Sequence, residues 1–107
     1  MTHQVTILAI AQRDADQIFA WLRKRSIAGA ERWYHAFVAA VQSLHDDPTR
    51  HTRAPEASRR RDDLYQCFFK TQRGRKYRLV FVVDGESVVV LRVRGPGQAP
   101  LKSQRDR

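Results

Sequence analysis

The chain has 107 residues, 42% of them hydrophobic, and a formal charge of +9 with a pI near 10.8. That length fits one domain with a modest core. It excludes a bilayer-spanning protein, because no apolar run is long enough to cross, and a disulfide scaffold, because Cys67 is the single cysteine. The N-terminus lacks the basic-then-apolar pattern of a secretory signal, so the expected location is the cytoplasm. The charge is uneven. Residues 1–49 hold five basic and five acidic side chains, 50–78 ten and three, and 79–107 five and three. A neutral half followed by a basic half points to a polyanionic partner.

In chain order, Gln4 to Ile10 reads as a first strand with both faces partly covered. A helix follows from about Gln12 to Arg25, with Ala15, Ile18, Phe19 and Leu22 as its apolar stripe. Asp14 and Asp16 fall in its first turn and Arg23-Lys24-Arg25 in its last, as the helix dipole favours. Ser26 caps a second helix running to about Asp46, on which Ala30, Trp33, Tyr34, Phe37, Val38, Val41 and Leu44 repeat at three and four. Pro48 stops it. Trp21 and Trp33 read as core or helix-interface residues, not as stacking residues. Two helices joined almost without a loop pair as an antiparallel hairpin.

Pro48 to Asp63 shows no periodicity and reads as a basic loop carrying Arg59-Arg60-Arg61. Leu64 to Lys70 is a strand, with Tyr65, Cys67 and Phe69 on one face. Thr71 to Arg75 is a turn. Lys76 to Val83 and Val88 to Arg94 are β-rich runs joined by Asp84-Gly85, a hairpin signature because Asp-Gly accepts the positive φ of a tight turn. Strict alternation puts Tyr77, Leu79, Phe81, Val83, Val89, Leu91 and Val93 on an apolar face. It puts Arg78, Val80, Val82, Val88, Val90, Arg92 and Arg94 on the other. Gly95-Pro96-Gly97 leaves the sheet, and a basic tail ends the chain. The fold class is α+β, in the order β-α-α-β-β-β: an N-terminal strand, a two-helix antiparallel hairpin, then a three-stranded antiparallel meander, with the helices packed on one face of the sheet.

Several pieces match a known pattern in order and spacing. They are the opening strand, Ala11…Asp14…Ile18, Leu44-x-x-x-Pro48, Leu64-x-Gln66, Tyr77-Arg78 and the closing Val90-Leu91-x-Val93-Arg94. Together they resemble the RelE/ParE superfamily of type II toxin–antitoxin toxins over nearly the whole chain. The resemblance implies one toxin domain over 1–98 with a basic tail over 99–107. It implies a cognate antitoxin as partner, with a homodimer or a toxin–antitoxin hetero-oligomer as the assemblies. It also implies one of two targets: mRNA in the ribosomal A site for RelE-like members, or DNA gyrase for ParE-like members. No cofactor, metal or membrane is expected.

By the same resemblance, Arg78 matches the third-strand arginine that binds phosphate in the nuclease branch, and Arg94 lies near the family's other functional positions. Lys70 shares the Arg78 parity and is the second cationic candidate. On this reading the chain is a metal-independent mRNA endonuclease with Arg78, Arg94 and Lys70 catalytic. Arg59, Arg60, Arg61, Arg73, Arg75, Lys76 and Arg92 would then hold nucleic acid. The nuclease pattern places a His or Tyr just past the last strand, where this chain has Gly95-Pro96-Gly97-Gln98. Arginine is a poor general base, and Lys70, Lys76, Tyr65, Tyr77, His51 and Glu56 contain no obvious acid–base pair. The alternatives are therefore a gyrase inhibitor without chemistry of its own, or a degenerate toxin acting as a basic binding module. His3, His35, His45 and His51 are too scattered for a metal and read as surface residues.

Overall fold

The computed structural model describes residues 2–55 and 64–96. Strand β1 (Gln4–Ile7) directs Val5 and Ile7 into the core and leaves Gln4 and Thr6 exposed. It is shorter than the alternation suggests. Helix α1 (Ala9–Arg23) begins right after it, with Leu8 at the cap position. The Leu8 N–H still donates to the Val90 carbonyl at 3.0 Å, so the last ladder bond of β1 lies against the helix start. Ala9 and Ala11 are strong helix formers, and Ala11 and Ala15 are 0% exposed. Small side chains there let the helix lie close to the sheet.

Helix α2 (Ile27–Ser43) opens on Ser26, whose Oγ accepts a hydrogen bond from the Gly29 N–H at 2.9 Å, as the sequence indicates. Its buried residues Ala30, Trp33, Phe37 and Ala40 form one stripe, which Leu44 continues just past the helix end. Trp33 and Phe37 stack at 5.6 Å, and Trp33 also meets Phe69 and Tyr77 of the sheet. This aromatic cluster joins the helical hairpin to the strands. Trp21 does not share in it. It is 51% exposed, which corrects its reading as a core residue.

Pro48 is buried and opens a 3-10 turn (Pro48–Arg50). The next residues form a short strand, β2 (Thr52–Arg53), where the sequence suggested only loop. Two residues are too few to show periodicity. β2 pairs antiparallel with β3 (Leu64–Phe69), β3 with β4 (Tyr77–Asp84), and β4 with β5 (Ser87–Arg94). β1 joins the far side of β5 in parallel, with Val5 opposite Val88. The strand order is β1-β5-β4-β3-β2. The β4–β5 turn is the expected one, with Asp84 opposite Ser87 and Gly85 at φ 60°.

The register of β5 departs from strict alternation. Val80 pairs with Arg92 but Phe81 pairs with Val90, so Leu91 is an extra residue, a β-bulge. The bulge shifts the phase of β5. Val88 and Val90, expected on the arginine face, are 0% exposed in the core beneath the helices, together with Val93. Val89, opposite Val82, and Leu91 move to the other face, where Leu91 and Val82 pack on Ala54, Leu64 and Val80. Because the phase is restored after Leu91, Arg92 and Arg94 still point away from Val93.

Candidate functional site

The face of the sheet opposite the helices carries the candidate site. Arg78 of β4 lies directly across from Arg94 of β5, and Phe68 of β3 lies across from Arg78 on the other side. The three therefore form a row across adjacent strands, with Cβ atoms roughly 4.5–5.5 Å apart between direct neighbours. The Arg78 Nη1 donates to Gln66 Oε1 at 3.2 Å. Arg78 and Arg94 are half-buried, and both are engaged elsewhere in the chain as well. Phe68 is 48% exposed, and the Lys76 ammonium lies 4.8 Å from its ring centroid. Lys70 is exposed just past the end of β3. Two forked guanidinium groups fixed on rigid strands suit phosphate or carboxylate recognition.

Arg92 has a different environment from the one its parity suggests. Its Nε donates to Asp14 Oδ2 at 2.7 Å and its Nη2 to Asp14 Oδ1 at 3.1 Å. The Val93 N–H donates to the same Oδ2 at 3.0 Å. The side chains of Arg92 and Asp14 are only 14% and 13% exposed. β1 ends at Ile7, opposite Val90, so beyond that point the edge of β5 has no strand beside it among the described residues. Asp14 takes the missing strand's place by accepting from the backbone. Its expected position in the first turn of α1 is also corrected, because the helix starts at Ala9.

Arg73 and Arg75 lie exposed in the β3–β4 turn and line a different surface. This is a cleft of about 650 Å³ between that turn and the tip of the helical hairpin, to which Trp21, Arg25, Arg32, Trp33 and Tyr77 also contribute. The Arg25 guanidinium lies 4.2 Å from the Trp21 ring centroid. The fold thus collects Arg78 and Arg94 on one face, pins Arg92 to Asp14, and groups Arg73 and Arg75 with two tryptophans. Arg59, Arg60, Arg61 and Glu56 lie outside the described residues. Sequence reasoning named Asp14 in the family pattern but not its bond to Arg92, and it missed Trp21 as a surface residue. For Trp21 the available signal was its spacing of four from Arg25 at the basic end of α1.

Burial shifts three titratable groups, Tyr77, Cys67 and His51. Burial pushes the Tyr77 phenol up, with Arg75 pulling the other way. It also pushes the Cys67 thiol up, against a hydrogen bond from Ser43 and the charge of Arg50. His51 is lowered by burial and then by Arg50, with Asp47 opposing. The His51 ring meets Phe81 edge-on at 6.0 Å, and the His45 Nδ1 is 2.8 Å from the His3 carbonyl. These three histidines are partly buried and built into the fold, which corrects their reading as surface residues, whereas His35 is exposed. Among the described residues, no group of three His, Cys, Asp or Glu side chains could hold a metal ion. No helix among them is long and apolar enough to cross a membrane.

Comparison with solved structures returns the same fold. The chain is similar to a chain of the chromosomal ParDE toxin–antitoxin system from P. aeruginosa, with a TM-score of 0.65 and 17% identity over 88% of this chain and 96% of that one. It is also similar to a chain of the toxin–antitoxin complex RelBE2 from Mycobacterium tuberculosis, with a TM-score of 0.56 and 24% identity over 89% and 99%. No curated protein sequence gives a significant match. The family described as ParE toxin of type II toxin–antitoxin system, parDE, matches residues 5–100. The chain therefore belongs to the ParE toxin family, within the RelE/ParE superfamily of type II toxins.

Proposed function

We propose that this toxin arrests growth by binding and inhibiting DNA gyrase, and that a cognate antitoxin neutralises it by covering the arginine-bearing face of the sheet. One observation carries the choice of binding over chemistry. The phenols and imidazole singled out as proton carriers, Tyr65, Tyr77 and His51, lie on the helix side of the sheet with Phe81 and Phe69. Arg78 and Arg94 lie on the other side. A guanidinium stabilises negative charge but does not accept a proton near neutral pH, so the row Phe68–Arg78–Arg94 is suited to recognition. The ParDE and RelBE2 neighbours are toxin–antitoxin assemblies, which supports an antitoxin as partner.

A second reading is favoured by the direct opposition of Arg78 and Arg94 across β4 and β5, because two guanidinium groups can clamp a scissile phosphate. In it, the toxin cuts mRNA at the ribosome with Lys70 assisting. Two measurements separate the readings. Purified protein added to gyrase should block supercoiling, and mRNA from arrested cells should stay intact. Cleavage at codon boundaries during arrest, with supercoiling unaffected, would reverse the assignment.

A further inference from the structure

The surface around Trp21 is not used by the function proposed above. Trp21 stands between two clefts. One, of about 650 Å³, is lined by Arg25, Arg32, Arg73, Arg75 and Trp33, with no acidic side chain among the described residues of its wall. The other, of about 410 Å³, runs from Trp21 along Ile18 and Val93 to Pro96, and Asp14, the one carboxylate among its described residues, is held by Arg92. Trp21, Arg75 and Tyr77 border both, so the clefts form one groove across the end of the molecule. The indole is 51% exposed even with Arg25 against it. Groove, exposed ring and four arginines together are the parts of a stacking platform inside a cationic channel.

We infer that this groove binds a single DNA strand, with one base stacked on the Trp21–Arg25 pair and the flanking phosphates held by Arg32, Arg73 and Arg75. Its extent on both sides of Trp21 favours a strand over a mononucleotide. Arginines from two separate elements, the hairpin tip and the β3–β4 turn, can grip phosphates on either side of a stacked base. The choice of DNA rests on the gyrase reading, since that target presents DNA to a bound toxin.

The chain's two tryptophans both line the groove, so its own fluorescence reports occupancy. Titration with an oligo(dT) of about ten nucleotides should quench it saturably, and binding should weaken steeply with salt. Trp21→Ala should lower affinity about tenfold while leaving the thermal melt near that of the parent, because the ring is half exposed. Since that variant loses a reporter, its binding is read by anisotropy of a labelled oligonucleotide. Arg73→Glu with Arg75→Glu, on the opposite wall, should abolish binding at moderate salt. Unchanged binding by both variants overturns the inference. So does tighter binding of duplex DNA, which offers no free base. An oligo(U) bound far more tightly than oligo(dT) also overturns it, by assigning the groove to RNA. The assay contains no gyrase, so its failure is a separate result from failure of the gyrase reading.

Discussion

Asp14 ties helix α1 to strand β5. It accepts two bonds from Arg92 and one from the Val93 N–H, from a position that is 13% exposed. Removing one member of a desolvated pair leaves the other charge without compensation, and here a backbone donor loses its acceptor as well. Asp14→Ala should therefore cost about 2–4 kcal/mol in urea unfolding. Asp14→Asn should cost less, because its amide oxygen can still serve Val93. A double-mutant cycle with Arg92→Leu should return a coupling of about 1–3 kcal/mol. A second prediction concerns pH. The imidazole of His51 is held below its usual range of about 6.5, so the unfolded chain takes up its proton first as the solution is acidified. Its contribution to stability is complete above that value and is lost as pH falls toward the lowered folded-state value. Chemical denaturation at a series of pH values should show this decline below about pH 6.5, and His51→Phe should flatten it.

At the scale of elements, one hydroxyl caps α2 at the α1–α2 turn. Ser26 Oγ holds the Gly29 N–H at 2.9 Å at an exposed site. Ser26→Ala should lower stability by about 1 kcal/mol, measurable in thermal melts, while Ser26→Asp should retain most of it. Most elements were legible because their signals are local. Ser26 announced α2, Asp84-Gly85 announced the hairpin, and the three-and-four spacing of Ala30, Trp33 and Phe37 announced the buried stripe. β5 was legible as a strand but not in its facing. Counting odd and even positions assumes one residue per step, and the extra residue Leu91 breaks that assumption. Nothing in Val88-Val89-Val90-Leu91 distinguishes one apolar side chain from the next, so only the pairing with Val80 and Phe81 locates the bulge. The opposition of Arg78 to Arg94 was reachable from the sequence, since both kept their facing. The clamp on Arg92 was not, because it joins residues 78 apart in sequence.

At the scale of the molecule, a sequence-level tally of charge marks the second half as basic but does not divide it into surfaces. The fold does. Arg78 and Arg94 go to the strand face, and Arg73 and Arg75 go to the groove beside Trp21. Trp21 had looked like core because most tryptophans on an amphipathic helix are. What exposes it is its place near the end of α1, between two clefts, and that depends on tertiary arrangement alone. The same arrangement has a temporal side. β1 is synthesised well before its partner, β5, with Val5 facing Val88. The opening strand therefore waits for its β5 partner until both helices and the intervening strands have emerged. Such distant pairing slows assembly, because a long segment must be ordered before the bond that rewards it can form. Late closure therefore separates synthesis of this chain from completion of its sheet.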